Sequence, residues 1–276
     1  MNNRLKYHVQ QIARCRDPYL AQGGHFFVRE YIREDLGQFG TVNVHSFTVQ
    51  GTTHQNLILD IPSEPNDHPS QAPVLIGAHY DAVPSSPGAD DNATGIAVLL
   101  ELARYFSTVS ARSPLRFLAF DMEEYGLAGS ASYAQFLHTQ QQPIRLMMSL
   151  EMLGYTASRQ NYPAFLNYFY PSEGNFIALI GNLRTLFDLR RISRQIRSTG
   201  TPCEWLPAGV RGQIVPDTRR SDHAPFWDLG YPALMVTDTA NLRNPHYHMP
   251  SDQWETLNFE FLTGVYQGLA AAIASL

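Results

Sequence analysis

The chain contains few cysteines, few charged residues and no long apolar run. Its 276 residues include two cysteines, Cys15 and Cys203, which are too few for a disulfide framework or a cysteine-based zinc cluster. No stretch of about 18 apolar residues occurs, so no membrane-spanning segment and no membrane partner are predicted. The polar, amphipathic N-terminal segment lacks the apolar core of a secretory signal. We therefore expect a cytoplasmic protein, or a secreted one if a signal has been trimmed.

The overall composition predicts one folded domain without a basic face for nucleic acid. Apolar residues make up 44% of the chain and charged residues 16%, which suits a large core and argues against disorder. The formal net charge of -5 argues against a nucleic-acid partner, because phosphate groups favour a basic protein surface. No linker-like stretch and no internal repeat occurs. We expect residues 1–276 to form a single domain with no inserted or accessory unit.

Short apolar segments alternate with helical patterns along most of the chain. Continuous apolar runs of this kind are typical of strands buried in a parallel sheet, and the alternation predicts a three-layer α/β/α sandwich with a mostly parallel central sheet. The predicted strands cover residues 42–50, 56–62, 72–78, 115–120, 145–153 and 231–239, and the predicted helices cover residues 25–36, 94–106, 127–139 and 261–276. Residues 155–220 are less regular, with one helix predicted over 175–197.

Acidic residues and histidines follow the predicted strands at the points where those strands end. Ligands of open α/β sheets gather beyond the carboxyl ends of the strands, so we expect these side chains to share one crevice. Two histidines with several carboxylates are typical ligands of zinc or a similar divalent ion. The residues are His79, Asp81, Asp91, Glu123, Glu124, Glu151 and His248.

A crowd of carboxylates of this kind is stable only if positive charge lies among them. One carboxylate shared by two ions would hold them about 3.5–4 Å apart, as in two-metal hydrolytic sites. The adjacent residues Glu123 and Glu124 can then divide the chemistry. One of them binds metal, and its neighbour stays free to take a proton from the attacking water.

Five sequence blocks make the chain resemble the co-catalytic zinc exopeptidases. The blocks occur in the order of that family and span residues 73 to 258: "HYDAV", "GADDNATG", "FDMEEYGLAGS", "SDHAPFWDLGYPAL" and "HYHMPSDQWE". The family includes bacterial leucyl-type aminopeptidases and glutamate carboxypeptidases, and glutaminyl cyclases share its fold. The resemblance implies two zinc ions, a peptide or small amino-acyl substrate and, most directly, aminopeptidase activity.

The resemblance also implies a role for each residue of the crevice. His79, Asp91 and Glu151 would hold one metal ion, and Asp91, Glu124 and His248 the other. Asp91 would thus bridge the two ions. Glu123 would be the general base, and Asp81 would accept the second N–H of His79 and orient its ring. A non-proline cis peptide is expected directly after the bridging aspartate, between Asp91 and Asn92.

The chain departs from the family pattern at two positions. Glu151 stands where the family usually has the shorter aspartate, so its carboxylate must reach the ion by a different path. Thr218 stands where related peptidases often have a tyrosine that stabilises the oxyanion. Arg219, Arg220 or an aromatic residue from elsewhere in the chain could take over that role.

Several neighbouring residues are expected to have supporting roles. Asp90 is expected to be a turn or cap residue, and His246 to face substrate or solvent. Asp222 and His223 are expected to make hydrogen bonds near the site rather than to bind metal. Five aromatic residues could lie either in the core or in the wall of a pocket: Tyr162, Phe165, Tyr168, Phe169 and Tyr170.

The leading functional interpretation is therefore a metal-dependent exopeptidase, most directly an aminopeptidase. A carboxypeptidase of the same family, a one-zinc glutaminyl cyclase and a non-catalytic binding module are the alternatives. A serine hydrolase is excluded because the sequence has no G-x-S-x-G motif. The preferred substrate side chain, the native metal among zinc, cobalt and manganese, and the oligomeric state stay open.

Overall fold

An eight-stranded sheet runs through the residues that the computed structural model describes, 1–63, 72–162, 166–213 and 215–276. Its strands are β1 (Val42–Val49), β2 (Thr52–Ile61), β3 (Val74–His79), β4 (Leu115–Phe120), β5 (Leu146–Glu151), β6 (Ile177–Gly181), β7 (Cys203–Pro207) and β8 (Ala233–Thr237). The helices are α1 (Asn2–Ile12), α2 (Gln22–Gly37), α3 (Gly95–Phe106), α4 (Ala128–Thr139), α5 (Leu186–Ser198), α6 (His223–Asp228) and α7 (Phe259–Ser275).

The strand order is β1-β2-β4-β3-β5-β8-β6-β7. The four central strands, β4, β3, β5 and β8, are parallel to one another. Antiparallel pairings join β2 to β4 on one side and β6 to β8 on the other, so the complete sheet is mixed. The α/β sandwich predicted from the sequence is confirmed, with its parallel part at the centre of the sheet.

Alternate residues of the central strands pack into two separate cores. In β3, Val74 and Ile76 face the core formed with α1, α2, α3, α5 and α7, whereas Leu75 faces the core formed with α4 and α6. This alternation follows from the two-residue period of a strand. Both faces of the central strands are therefore buried, which explains their continuous apolar sequence.

The helix predicted over residues 175–197 is wrong in its first half. Residues Ile177–Gly181 form β6, and α5 begins only at Leu186. The chain turns at Gly181, where a Cβ atom would lie 2.3 Å from the Thr185 hydroxyl. Burial at helical spacing, at Leu189, Ile192 and Ile196, begins only after that turn. The edge strand β7 and the helices α1 and α6 were also not predicted.

The carboxyl ends of the parallel strands form one edge of the sheet, where β3 ends at His79 and β5 at Glu151. The named strands all belong to this one sheet, and the single-domain assignment of residues 1–276 stays a prediction. Over the described residues, helices that combine the length and apolarity needed to cross a membrane are absent.

Candidate metal centre

All seven side chains predicted for the crevice lie around one point at the carboxyl edge of the sheet. His79 and Glu151 are the last residues of β3 and β5, and Glu123 and Glu124 follow the end of β4. Asp91 lies in a distorted helical turn, Ala89–Thr94, that leads into α3. His248 comes from the segment after β8, and its side chain is 34% exposed while the others are almost fully buried.

Asp91 lies between the two histidines and directs one carboxylate oxygen to each. Its Oδ1 is 3.3 Å from Nε2 of His79, and its Oδ2 is 3.1 Å from Nε2 of His248. Glu151 Oε1 lies 3.6 Å from the same His79 nitrogen, and Glu124 Oε2 lies 3.3 Å from the same His248 nitrogen. The carboxylate of Asp91 thus separates two groups of potential ligands.

The spacing and bonding of these atoms fit divalent metal ions. Two donors bound to one tetrahedral zinc lie about 3.4 Å apart, which matches the measured separations. The ring nitrogens of His79, Nε2 of His248 and Oε1 of Glu124 are buried and make no hydrogen bond in the described part of the chain. Buried polar atoms without partners are costly, so this cluster has the donor set and the unmet bonding of a metal site.

The potential ligands strongly shift one another's pKa values. Burial alone would lower the pKa of His248, but the adjacent carboxylates of Asp91 and Glu124 raise it to about 10. Burial, with the charge of Asp91, raises the pKa of Glu124 to about 7. Burial would likewise lower the pKa of His79, yet Glu123 and Glu151 hold it well above 6.5. The carboxylates around the two imidazole rings thus create a negative environment that suits a divalent cation.

Glu123 lies beside this cluster at a greater distance from the histidines. Its Oε2 is 4.0 Å from Nε2 of His79, and the side chain is buried. Burial raises the pKa of Glu123 well above 4.5; His79 opposes the rise, and Glu151 and Glu124 add to it. A carboxyl group with a raised pKa in a crevice is typical of a proton-transfer residue.

Asp81 contacts both His79 and the glutamate pair. Its Oδ1 lies 3.4 Å from Nδ1 of His79, which is close but outside hydrogen-bond geometry. Its two oxygens accept the backbone N–H groups of Glu123 and Glu124, each at 3.1 Å. Asp81 therefore fixes the backbone that carries both glutamates, a role that the sequence analysis did not assign to it.

A second acid, Asp252, fixes the backbone around Asp91. Its carboxylate accepts the backbone N–H groups of Asp90 and Asp91 at 3.0 and 3.1 Å. The peptide between Asp91 and Asn92 is cis, as expected from the family resemblance. Asp90 lies within the turn Ala89–Thr94, as expected, but its side chain acts beyond that turn. Its carboxylate accepts hydrogen bonds from Gly154 N and Asn244 Nδ2, far along the chain.

The segment Ser221–His223 supports the Glu151 side of the cluster. The hydroxyl of Ser221 donates to Oε2 of Glu151 at 2.7 Å and lies 2.8 Å from the hydroxyl of Ser149. Asp222 is buried, and this burial raises its pKa to about 7. His223 Nε2 lies 2.8 Å from the Thr218 carbonyl oxygen, and burial lowers its pKa to about 3. His246, which was expected to face substrate or solvent, is partly exposed, and its Nδ1 lies 3.0 Å from the Ser251 hydroxyl.

Arg16 is a buried cation beneath the cluster that the sequence analysis missed. Its guanidinium donates to the carbonyl oxygens of Tyr80 at 2.8 Å, Gly88 at 2.9 Å and Asp91 at 3.2 Å, and also to that of Pro87. These contacts join the N-terminal segment to the residue after β3 and to the turn that carries Asp91. A sequence gives no signal that separates a buried arginine of this kind from a surface one.

An apolar cavity of about 120 Å³ adjoins Glu151. Tyr162 and Tyr170 line it, so these two of the five aromatic residues belong to a pocket wall. Tyr168 and Phe169 are instead 88% and 77% exposed, and Phe165 lies outside the described residues. Further apolar lining includes Leu166, Phe176, Ala178, Ile180, Leu206 and Met235.

The two arginines that follow Thr218 point to different places. Arg219 pairs with Asp228 at 2.7 Å on the outside of α6. Arg220 lines the cavity and donates to the hydroxyl of Tyr247 at 2.9 Å. The ring of Tyr247 stacks on that of His248, with centroids 3.8 Å apart and an interplanar angle of 22°. Thr218 lines the same cavity and its hydroxyl donates to the Val215 carbonyl.

Known proteins share both the sequence pattern and the fold. The family model described as Peptidase family M28 matches residues 56–273. The uncharacterized protein YfbL of Escherichia coli strain K12 is 33% identical over 87% of this chain and 77% of its own length. The zinc aminopeptidase BSAP from Bacillus subtilis is 26% identical with a TM-score of 0.60, over 81% of this chain and 50% of its own. The LapA aminopeptidase of Legionella pneumophila has the same fold, with a TM-score of 0.76 and 20% identity over 99% of this chain and 71% of its own.

Proposed function

The chain belongs to peptidase family M28, and on that premise we propose that it is a metal-dependent aminopeptidase that removes N-terminal residues from peptides. The position of Asp91 between His79 and His248 is the main observation in favour of this proposal. The similarity to a zinc aminopeptidase supports zinc as the metal and the amino end as the site of cleavage. The chain spans about half of that relative, so activity and substrate are inferred from the site itself.

Each side chain of the cluster has a role in this proposal. His79, Asp91 and Glu151 would hold one ion, and Asp91, Glu124 and His248 would hold the other. Two divalent ions bound here would polarise the scissile carbonyl and acidify the attacking water. Asp81, Asp252 and Ser221 hold the backbone and carboxylates of these ligands in place through the hydrogen bonds described above.

Glu123 is the proposed general base. With cations bound, positive charge favours its ionised form, so Oε2 can accept a proton from the attacking water. The same oxygen then returns that proton to the leaving amine. Its burial keeps bulk water away from the transferred proton, and the Asp81 contact to its backbone N–H fixes its position.

Metal analysis and a substrate panel test the proposal together. The panel comprises amino-acid anilides, carboxyl-terminal dipeptides and a peptide with N-terminal glutamine. We expect two ions per chain and hydrolysis of the anilides, with loss of activity on chelation and recovery on adding zinc. Cleavage confined to the dipeptides would instead identify a carboxypeptidase. A single ion with cyclisation of the glutaminyl peptide would identify a cyclase, and two ions without any turnover would identify a binding module.

A further inference from the structure

The outward face of α5 is strongly basic. Residues 183–197 contain five arginines and a single acid, Asp188. Asp188 is buried and pairs with Arg145 at 2.6 Å, so its charge does not reach the outward face. The exposed positions of α5 recur every three or four residues and therefore share one face of the helix: Phe187, Arg190, Arg194 and Arg197.

Neighbouring acids neutralise little of this charge. Over the described residues, Arg184, Arg190 and Arg194 form no ion pair, whereas Arg197 pairs with Glu204 at 3.1 Å. The helix α7 packs beside α5, and residues 261–276 within and after it contain no charged side chain. A basic surface is thus present on a chain whose formal net charge is -5.

Three apolar side chains project among these arginines. Phe187 is 83% exposed, Val210 70% and Leu183 54%. The backbone N–H of Leu183 donates to the Gly209 carbonyl at 2.9 Å, which places Val210 beside the start of α5. Grouped apolar side chains that face water typically mark an interaction surface. The α5 surface consists of Leu183, Arg184, Phe187, Arg190, Arg194 and Val210.

The α5 surface begins at the sheet edge opposite the metal centre. Strand β6 is antiparallel to β8, and Gly181 at the end of β6 pairs with Leu234 near the start of β8. The potential metal ligands lie instead at the carboxyl ends of β3 and β5. A partner bound to the α5 surface would therefore leave the crevice open to substrate.

We propose that the α5 surface docks onto an anionic lipid bilayer. Its arginines bind the acidic headgroups, and its three apolar side chains enter the boundary between headgroups and acyl chains. An acidic polypeptide matches the arginines, whereas a bilayer matches both the charge and the protruding apolar groups. Docking does not require peptidase activity, so it goes beyond the proposed function and is tested separately from it.

Vesicle sedimentation of the full chain tests the docking. Wild type should bind vesicles that contain phosphatidylglycerol, should not bind vesicles of phosphatidylcholine alone, and should be released by high salt. One arginine near an anionic surface contributes about fivefold in affinity, so Arg190→Gln combined with Arg194→Gln should weaken binding about 25-fold. Phe187→Ser should weaken it about tenfold, because the apolar ring no longer enters the bilayer.

Arg112→Gln combined with Arg159→Gln is the charge-matched control. Both arginines are exposed and lie outside the α5 surface, so this variant should bind vesicles nearly as wild type does. All variants should keep the wild-type denaturant midpoint, because the substituted side chains are exposed. Absence of binding to the anionic vesicles, or equal losses of affinity in the two double variants, would overturn the proposal.

Fluorescence distinguishes insertion into the bilayer from attraction by charge alone. The emission added by Phe187→Trp should shift to the blue with the anionic vesicles only, and brominated lipids should quench it. Stronger binding to polyglutamate than to the vesicles, together with unchanged binding of Phe187→Ser, would overturn the bilayer proposal in favour of an acidic partner protein.

Discussion

The two sides of the crevice are built in different ways. The metal side combines the ends of buried parallel strands with the turn that carries Asp91 and the segment that carries His248. The carboxylates of Asp81 and Asp252 accept backbone N–H groups beside the proposed ligands, and Ser221 donates to Glu151. The cavity side takes its walls from irregular segments between residues 155 and 247 and from the late strands. Strand ends are rigid positions suited to metal ligands, whereas loops can vary in shape without disturbing the sheet. We therefore expect the metal side to determine whether reaction occurs and the cavity side to determine which substrate reacts.

The largest effect is expected from Glu123→Gln. Removing a general base typically lowers the rate by about 10²–10⁴, and the loss should apply equally to every substrate. Because Glu123 is not a proposed ligand, both ions and a substrate analogue should still bind. The matched variant Glu124→Gln should weaken one ion, and its activity should fall for that reason. Turnover and metal content of both variants check this, and near-normal turnover of Glu123→Gln would contradict the mechanism.

Replacing Arg16 tests whether the metal side depends on the N-terminal segment. Arg16→Met leaves buried carbonyls and nearby carboxylates without their cation, so we expect the metal-free protein to lose about 3–5 kcal/mol of unfolding free energy. Bound zinc should recover part of this loss, because it supplies positive charge to the same carboxylates. Denaturant unfolding with and without zinc measures both quantities.

Arg194→Met is the control for this experiment. Arg194 is exposed, and over the described residues its side chain forms no ion pair. Its replacement should change the unfolding free energy by less than about 0.5 kcal/mol. Equal stability of the Arg16 and Arg194 variants would show that the contacts of Arg16 with the ligand loops are dispensable.

A smaller and more selective effect is expected at Glu151. Glu151→Ala should remove the ion on the His79 side and leave the other, whereas Glu151→Asp should keep both. Ser221→Ala removes the hydrogen bond to Glu151 and should weaken the same ion by about 10–100-fold. Ser198→Ala, at an exposed position on α5, is the control. Competitive zinc titration distinguishes these outcomes, and two ions at wild-type affinity in Glu151→Ala would exclude Glu151 as a ligand.

The smallest expected effect comes from the cavity side. Ala178 lines the cavity floor on β6, and Ala178→Leu would fill part of the space. The ratio of kcat/KM between a leucine anilide and an alanine anilide should then fall about tenfold, with metal content unchanged. An equal fall of kcat/KM for both anilides would show that the cavity side does not determine which substrate reacts.

The sequence predicts the metal side well because its signals are local. Each fully apolar strand is followed directly by acids or a histidine, and the parallel arrangement places those ends together. Glu151 follows this pattern at the end of β5, whereas Asp91 lies in the turn before α3 and its predicted role as a bridging ligand comes from the family resemblance. Arg16 could not, because its acceptors lie more than 60 residues away, at Tyr80 and Gly88.

The cavity side was harder to predict because it depends on contacts between distant segments. The apolar run that forms β6 continues into α5, and the boundary at Gly181 is marked only by the packing of Thr185. Tyr162 and Tyr170 face the cavity while Tyr168 and Phe169 face solvent, although all four lie close together in the sequence. No spacing rule separates them, because the described residues between 162 and 170 contain no helix or strand longer than the 3₁₀ turn Leu166–Tyr168.

Anomalous diffraction from crystals grown with zinc tests the central claim most directly. We expect two zinc peaks per chain, one beside His79 and Glu151 and one beside Glu124 and His248. Each should lie within bonding distance of a different oxygen of Asp91. A single peak held by Asp91, Glu124 and His248, or two peaks that Asp91 does not bridge, would contradict the proposed centre.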